Sequence, residues 1–421
     1  MPRPPWPFRS TVWRSPLRGP WLTSVFGAVL LVGIPLMILT GLLSYAAYNP
    51  RLSPNDLTPG RGLLGFYLFD WPTRPVWLYR LNQGLHVTVG IALVPILLAK
   101  LWSVIPKLFD WPPVRSVAMA LERITIALLV GSVLFEFVTG ILNSQVFYPW
   151  KFSFYEAHLY GAWVFIGAFV THLALKLPVM VRSLRRRSLR AELRKGIADT
   201  EPEPPDEYGL VAERPDSPTI SRRGALGLVA ASSLGLLGLT AGQSIGGRLR
   251  SLALFSPRGG AYGTKPNDFP INKTAASVGI KPEETGPNWR LLVKGPSSER
   301  SISRDELMAM PQHTYDLPIA CVEGWSVVAT WTGVRIADLA RMVGASGADA
   351  VLVESLEKGG AFAQASLSGR QIRDQQSLLA LQVNGADLSM DHGFPARVIV
   401  PAAPGVHNTK WVRQMTFMAS T

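Results

Sequence analysis

Residues 317–344 read LPIACVEGWSVVATWTGVRIADLARMVG and contain the only cysteine among the 421 residues of the chain. An apolar run precedes Cys321, a Gly-Trp pair follows it, and a helical pattern closes the stretch. A lone cysteine forms no internal disulfide, so its chemistry is packing, thiol reactivity or metal ligation. The choice depends on the side of a membrane on which this stretch lies.

Composition favours a chain that is partly solvated by lipid. Apolar residues make up 48% of the sequence, and about 20 consecutive apolar residues suffice to cross a bilayer. The formal charge of +13 does not predict nucleic-acid binding, because the basic residues cluster beside apolar segments, where they set topology. Five segments are predicted transmembrane helices: 21–48, 81–105, 118–143, 157–181 and 224–246.

The distribution of Arg and Lys predicts the orientation in the plasma membrane. The first 20 residues carry four arginines, and the run VRSLRRRSLRAELRKG (181–196) follows the fourth predicted span. Both regions are therefore expected in the cytoplasm, and four spans do return the chain to its starting side. A fifth span then places the C-terminal part outside the cytoplasm. The four N-terminal arginines are Arg3, Arg9, Arg14 and Arg18.

Two features precede the fifth span. The stretch 198–219, ADTEPEPPDEYGLVAERPDSPT, is acidic and Pro-rich, which predicts a disordered cytoplasmic linker. The stretch 221–229, SRRGALGLV, resembles a twin-arginine export signal, while Arg222 and Arg223 are equally explained as positive-inside anchors.

The C-terminal part differs in composition from the rest. Gly/Pro turns separate short β-branched runs such as RVIVPA, which predicts a globular α+β domain with its own core. The predicted organisation is a cytoplasmic tail (1–20), a four-helix membrane domain (21–181), a cytoplasmic basic then acidic linker (182–220), a fifth transmembrane helix (221–247) and an extracytoplasmic domain (248–421).

Histidine spacing in the spans is typical of haem ligation. His158 and His172 lie 14 positions apart, which on a helix returns to within about 40° of one face after roughly 21 Å. His86 lies near the start of the second span and His158 near the start of the fourth, which runs in the same direction. Two such imidazoles satisfy the ligation of one outer haem b. This pattern resembles the di-haem four-helix core of b-type cytochromes.

Other interpretations of these polar residues stay open. Lys100 stands 14 positions after His86, where a second histidine would complete an inner haem with His172; a lysine there also snorkels toward water. The histidines also suit interhelical hydrogen bonds. Glu136, midway along the third span, suits either a proton relay near a quinone site or a buried ion pair.

The stretch around Cys321 resembles the molybdenum-binding segment of the sulfite oxidase-like molybdopterin family. The resemblance implies that Cys321 ligates molybdenum, as a soft thiolate beside the dithiolene sulfurs of the pterin. Trp331, Gly333 and a helix at 336–343 match the continuation. Two further segments, NDFPINKTAASVGI (267–280) and DHGFPARVIVPAAPGVHNTKWV (391–412), resemble the family's cofactor-contacting loops. The cofactor contacts that the resemblance implies are Asn267, Asn272, Glu323, Gly324, Trp325, Ser326, Arg397, His407, Asn408 and Lys410.

The two halves together predict a membrane-bound oxidoreductase. The resemblance implies that electrons pass between the quinone pool, haem b and a molybdopterin centre, which transfers an oxygen atom to or from an S-oxide, N-oxide or sulfite-type oxyanion. The sequence has no obvious cluster of substrate-binding arginines, which leaves the substrate open. Two alternatives remain: an electron-transfer or assembly protein without a metal, and a membrane-tethered binding, transport or sensor module.

Overall fold

The chain is described by a computed structural model, which covers residues 12–56, 67–109, 116–206, 209–258, 262–360 and 362–418. The predicted topogenic residues Arg3 and Arg9 lie outside these ranges. Five helices in the described ranges are long and apolar enough to cross a membrane, which confirms the predicted number. They are α1 (Pro20–Ala47), α2 (Leu78–Val104), α3 (Val117–Ser144), α4 (Phe154–Arg186) and α6 (Arg222–Ile245).

Local sequence explains where two of these helices begin. Ser116 precedes α3, and its hydroxyl accepts a hydrogen bond from the Met119 amide at 3.2 Å. Ser153 does the same for α4, accepting from the Glu156 amide at 3.5 Å. A serine N-cap satisfies one of the amides that the first helical turn leaves unpaired. The helices begin and end within a few residues of the predicted spans, α4 extending furthest beyond its predicted end.

The chain divides into two compact units. The first comprises residues 1–39 and 88–238, and the second comprises residues 40–87 and 239–421. Helices α1, α2 and α6 each contribute one end to either unit. In the first unit, apolar side chains from four helices form a common core. Its buried members are Leu30, Ile34, Leu93, Leu97, Val133 and Phe165.

The acidic segment, predicted to be a disordered linker, contacts the starts of α1 and α6 within the first unit. The Glu203 carboxylate accepts hydrogen bonds from the Trp21 amide at 3.0 and 3.2 Å, at the start of α1. Arg222 is buried and pairs with Glu192 at 3.4 Å while donating to the Glu201 carbonyl at 2.8 Å. A helix N-terminus favours a carboxylate, and the ionic contacts offset the entropy of ordering the segment.

The second unit contains two sheets. One has the strand order β2-β1-β10-β5-β6, with β1 parallel to β10; the other has the order β3-β4-β7-β8, with β9 also paired to β7. The strands are β1 (Arg290–Lys294), β2 (Glu299–Ser303), β3 (His313–Ala320), β4 (Ser326–Arg335), β5 (Ala350–Ser355), β6 (Gln364–Ser368), β7 (Leu378–Val383), β8 (Ala386–Asp387), β9 (Arg397–Ile399) and β10 (Val412–Met418).

Short helices connect these strands and complete the α+β domain predicted from the sequence. Residues of both sheets and of three of these helices pack into an apolar core that includes Leu291, Leu339 and Val398, none of them exposed. A second core lines the sheet that carries Cys321. The short helices of the chain are α5 (Leu189–Glu192), α7 (Pro282–Thr285), α8 (Arg304–Ala309), α9 (Ile336–Met342) and α10 (Gly369–Arg373).

Candidate functional site

Cys321 begins the loop that joins β3 to β4. The two strands pair along their length and end with Ala320 opposite Ser326, so residues 321–325 form the connection. The Cys321 amide donates to the Trp325 carbonyl at 3.0 Å, and the Gly324 amide donates to the Cys321 carbonyl at 3.0 Å. Gly324 has a φ of +94°, a conformation that side chains with a Cβ rarely adopt. The loop therefore holds the thiol in a fixed place at the end of a buried strand.

The thiol lies in a cavity that the closing segment of the domain helps to build. The cavity is narrow: its volume is about 10 Å³, room for about one water molecule. Ala320 forms a parallel bridge with Pro404, which brings the Pro/Gly-rich segment beside Cys321. The residues that line the cavity are Phe269, Pro270, Ile271, Asn272, Ile319, Cys321, Trp325, Asp391, His392, Arg397, Gly405 and Lys410.

Two cations in this cavity are buried. Arg397 donates to the Asn408 and His392 carbonyls, both at 3.2 Å, and Lys410 donates to the carbonyls of Asp391, at 3.0 Å, and Lys273. Within the described part of the chain neither side chain makes an ion pair.

Burial without a counter-ion disfavours the charged form of both cations. It lowers the pKa of Arg397 to about 9 and that of Lys410 to about 6, where the neighbouring Arg397 adds to the effect. Buried charges are normally paired, so this cavity suits an anionic ligand.

The Cys321 thiol is 7% exposed, and burial raises its pKa to about 12, with a smaller contribution from the carboxylate of Glu323. Glu323 itself is held by Arg258, at 2.6 and 3.0 Å, and by the Trp325 indole, at 2.8 Å. Over the described ranges no group of three or more His, Cys, Asp or Glu side chains could hold a metal ion. A metal bound to Cys321 would therefore draw its remaining ligands from a cofactor.

The cavity residues fit molybdopterin. Cys321 supplies a soft donor, and a bound metal ion keeps a coordinating thiol deprotonated. Arg397 and Lys410 offer cationic donors for a phosphate, and the Asn272 side chain adds a polar group at the wall. These four residues would hold the group.

His392 also lines the cavity, and the sequence interpretation gave it no place in the site. Its Nδ1 lies 2.9 Å from the Ser389 hydroxyl, whereas Nε2 is buried with no hydrogen-bond partner among the described residues. Burial, with the nearby Arg397 and Lys410, lowers its pKa to about 3, so the ring is neutral. An orphan ring nitrogen in a cavity is a candidate ligand contact. The only sequence signal was its place in the segment DHGFP.

Other predicted contacts are not among the residues that line the cavity. Asn267 bridges the domain's own backbone, donating to the Asp387 carbonyl at 3.0 Å and accepting from the Ser389 amide at 2.9 Å. Ser326 donates to the Ser244 carbonyl on α6 at 2.7 Å. The lining also lacks Glu323, Gly324, His407 and Asn408. For these six, a cofactor contact stays a prediction.

His86 and His158, the two predicted ligands of the outer haem, have matching surroundings. In the second unit, His86 Nδ1 lies 2.9 Å from the Thr40 hydroxyl; in the first, His158 Nδ1 lies 2.9 Å from the Thr139 hydroxyl. The threonines sit in the similar segments LTGLLS (39–44) and VTGILN (138–143). In each segment, a Cβ on the glycine after the threonine would lie 3.3 or 3.4 Å from Cε1 of the histidine. The α1–α2 pair and the α3–α4 pair therefore repeat one local design.

This design sets the tautomer of His158. The Thr139 hydroxyl donates to the Phe135 carbonyl at 2.7 Å, so its oxygen accepts the proton of His158 Nδ1. The lone pair then lies on Nε2, the nitrogen that would bind a haem iron. Glu136 approaches the same Nδ1 at 3.2 Å.

The residues of the predicted inner haem show no such arrangement. Lys100 donates to the Thr23 carbonyl on α1 at 2.9 Å. Among the described residues, no hydrogen-bond partner of His172 identifies a ligating nitrogen.

The C-terminal part of the chain thus combines two sheets, a buried thiol at a hairpin end and a cavity lined by two basic side chains, and its sequence is similar to that of a known family. Residues 278–421 match the family described as Oxidoreductase molybdopterin binding domain. The chain thus combines such a domain with five helices that are long and apolar enough to cross a membrane.

Three curated proteins are similar in sequence to part of this chain. The putative protein-methionine-sulfoxide reductase subunit YedZ1 of Azospira oryzae is 31% identical over 153 residues, 36% of this chain and 56% of that protein. The uncharacterized oxidoreductase YuiH of Bacillus subtilis is 30% identical over 131 residues, 31% of this chain and 65% of that protein. Mitochondrial sulfite oxidase of Drosophila melanogaster is 29% identical over 161 residues, 32% of this chain and 27% of that protein.

These matches cover part of each protein. The chain spans from 27% to 65% of the length of these relatives. Among solved structures, sulfane dehydrogenase SoxCD from Paracoccus pantotrophus aligns with 32% of this chain and 39% of its own, at 21% identity and a TM-score of 0.30.

Proposed function

We propose that the chain is a membrane-bound molybdopterin-dependent oxidoreductase that exchanges electrons between the quinone pool and an extracytoplasmic substrate through haem b. The observation that carries this proposal is the Cys321 thiol, fixed in a cavity that also contains two buried cations without counter-ions. The buried cations alone would also suit an anion-binding module, and the soft sulfur donor beside them favours a metal-containing anionic cofactor.

The cavity residues divide the work of holding the cofactor. When bound, molybdopterin supplies a metal at which an oxygen atom is exchanged with substrate. Cys321 would anchor that metal through its sulfur, and Arg397 and Lys410 would bind the negative charge of the cofactor. Ser389 fixes Nδ1 of His392, whose ring would form part of the wall around the cofactor. The buried walls keep water from the reacting atoms.

The substrate class we propose is an oxygen-bearing sulfur or nitrogen compound: an S-oxide, an N-oxide or a sulfite-type oxyanion. Similarity to a putative protein-methionine-sulfoxide reductase subunit and to sulfite oxidase supports this class. A buried cation next to the thiol, Arg397, suits an oxygen that carries partial or full negative charge.

For the membrane part we propose one haem b, with His86 and His158 as axial ligands. The threonine bonds at both Nδ1 atoms support this assignment, because ligating histidines are oriented through their second nitrogen. We place the N-terminus and residues 182–220 in the cytoplasm and the C-terminal domain outside it, as the basic residues favour. Arg222, buried among Glu192 and Glu201, supports the anchor interpretation of the arginine pair over the export signal.

The test is the cofactor content of the full chain, purified from a host that makes the pterin. We expect molybdenum and haem in about equal amounts, with a b-type band in the reduced-minus-oxidised spectrum. Molybdenum without haem would remove the quinone-to-haem route but keep the oxidoreductase domain. Absence of both would favour the membrane-tethered binding module.

A further inference from the structure

The loop of Cys321 contacts two of the three helices that have one end in the second unit, α2 and α6. The Gln83 side-chain amide, on α2, donates to the Val322 carbonyl at 2.8 Å. The Ser244 hydroxyl, on α6, donates to the Gly324 carbonyl. A Cβ on Gly324 would lie 2.8 Å from a methyl group of Val87. Two backbone positions within the metal-binding loop, Val322 and Gly324, thus lie against α2.

Gln83 is held at both ends of its amide. Its Oε1 accepts from the Ser44 hydroxyl at 3.0 Å, while its Nε2 donates to Val322. A carbonyl only accepts, so this pair of partners fixes which end of the amide carries the nitrogen. The side chain is 4% exposed. A buried amide with both ends engaged has one conformation, which makes it a rigid bridge.

Gln83 also stands one helical turn before His86. Residues three or four apart lie on the same face of a helix, and the partners on α1 lie four apart: Thr40 contacts His86 and Ser44 contacts Gln83. The route from the imidazole to the thiol therefore runs along three residues of α2, through the Gln83 side chain, across one 2.8 Å hydrogen bond, and from Val322 to Cys321. Electron tunnelling decays more slowly along covalent and hydrogen bonds than across gaps.

We propose that Gln83 is the coupling residue through which electrons pass between the haem on His86 and the metal on Cys321. The proposal rests on the proposed function, since it presupposes both cofactors. Gln83 contacts the backbone beside the metal ligand and is thus a positioning residue, oriented by Ser44. One electron passes at a time, so two transfers match the two-electron exchange of an oxygen atom.

The experiment uses the full chain with both cofactors and needs no substrate. A photoreduced flavin injects one electron, and absorbance at the haem band follows its redistribution between haem and metal. Gln83→Met keeps the volume and removes the hydrogen bond, so we expect a several-fold slower rate constant. Ser44→Ala leaves the amide in place but unanchored, and a smaller decrease is expected. Asn82→Ala is the matched control, because Asn82 donates to the Thr40 carbonyl and not to the Cys321 loop.

Three companion measurements separate coupling from structure: haem content, molybdenum content and the haem midpoint potential, all expected to stay unchanged in Gln83→Met. Hydrogen exchange of residues 320–326, measured in protein without the pterin, should rise in Gln83→Met and not in Asn82→Ala. An unaltered rate constant in Gln83→Met with both cofactors present would overturn the coupling role of Gln83 and leave the proposed function standing. If Gln83→Met loses a cofactor, an unaltered rate in Ser44→Ala overturns it. Wild-type protein without haem or molybdenum would overturn the proposed function as well.

Discussion

The α1–α2 pair and the α3–α4 pair orient their histidines with the same Thr-Gly device, but their surroundings serve different ends. Around His86, the next polar residues are Ser44 and Gln83, and Gln83 reaches the loop of the catalytic domain. Around His158, the additional polar group is the Glu136 carboxyl at 3.2 Å. Both helix pairs thus position an imidazole in the same way. In the α1–α2 pair a neighbouring side chain contacts the C-terminal domain, and in the α3–α4 pair a carboxyl group lies beside the imidazole.

Among the substitutions that test this comparison, replacing the histidines should have the largest effect on haem binding. His86→Ala and His158→Ala each remove one proposed iron ligand, so we expect loss of the b-type absorbance in both variants. His172→Ala is the matched control and should retain the outer haem. The reduced-minus-oxidised spectrum measures this result. A normal spectrum in either of the first two variants would show that the repeated design does not hold a haem.

Removing the threonine hydroxyls should weaken haem binding without abolishing it. Thr40→Val and Thr139→Val preserve shape and delete the partner of Nδ1. Loss of a residue that orients a metal ligand typically costs about 10–100-fold in affinity. Haem retention during dilution in detergent is the measurement. Similar losses in both variants would support the equivalence of the two pairs, whereas a loss in only one would break it.

The Glu136 carboxyl, present in the α3–α4 pair and not in the α1–α2 pair, should affect the midpoint potential of the haem. Glu136→Gln replaces the stronger acceptor beside His158, which makes the imidazole a weaker donor, so the haem midpoint potential should rise. Molybdenum content should stay unchanged. Redox titration of the haem band provides the value, and Met37→Leu, three positions before Thr40 as Glu136 is before Thr139, is the control. An unchanged midpoint potential in Glu136→Gln would show that Glu136 does not influence His158 as a haem ligand.

The glycines should give the smallest effect. A Cβ added at Gly41 or Gly140 would lie 3.3 or 3.4 Å from a histidine Cε1, a contact that small shifts relieve. We therefore expect Gly41→Ala and Gly140→Ala to keep the haem and to change only its spectral line shape. Electron paramagnetic resonance of the oxidised haem reports such changes in ligand orientation. Complete loss of haem in both would mean that the imidazoles have no room to adjust.

Sequence reasoning found the elements whose signals are local. Long apolar runs predicted the five helices, and the pattern around Cys321 predicted a helix after Trp331, observed as α9. It also identified Cys321, Arg397 and Lys410, which share one cavity. These features depend on periodicity or on a contiguous motif.

Contacts between distant segments could not be predicted in this way. Gln83 and Val322 are 239 positions apart, and no period or motif relates them. The acidic linker looked disordered by composition, yet Glu203 meets the start of α1 across 182 positions. The turn of Ser326 toward α6 depends on the same long-range packing. Tertiary contacts decide these cases, and composition carries no record of them.

The most direct test of the central claim is molybdenum content and turnover in Cys321→Ser beside the wild type, with the haem spectrum recorded on the same samples. The account predicts that the wild type contains molybdenum and that the variant loses turnover with an intact haem spectrum, because serine offers no soft donor. Full turnover in Cys321→Ser, or a wild-type protein without molybdenum when produced with the pterin, would contradict it.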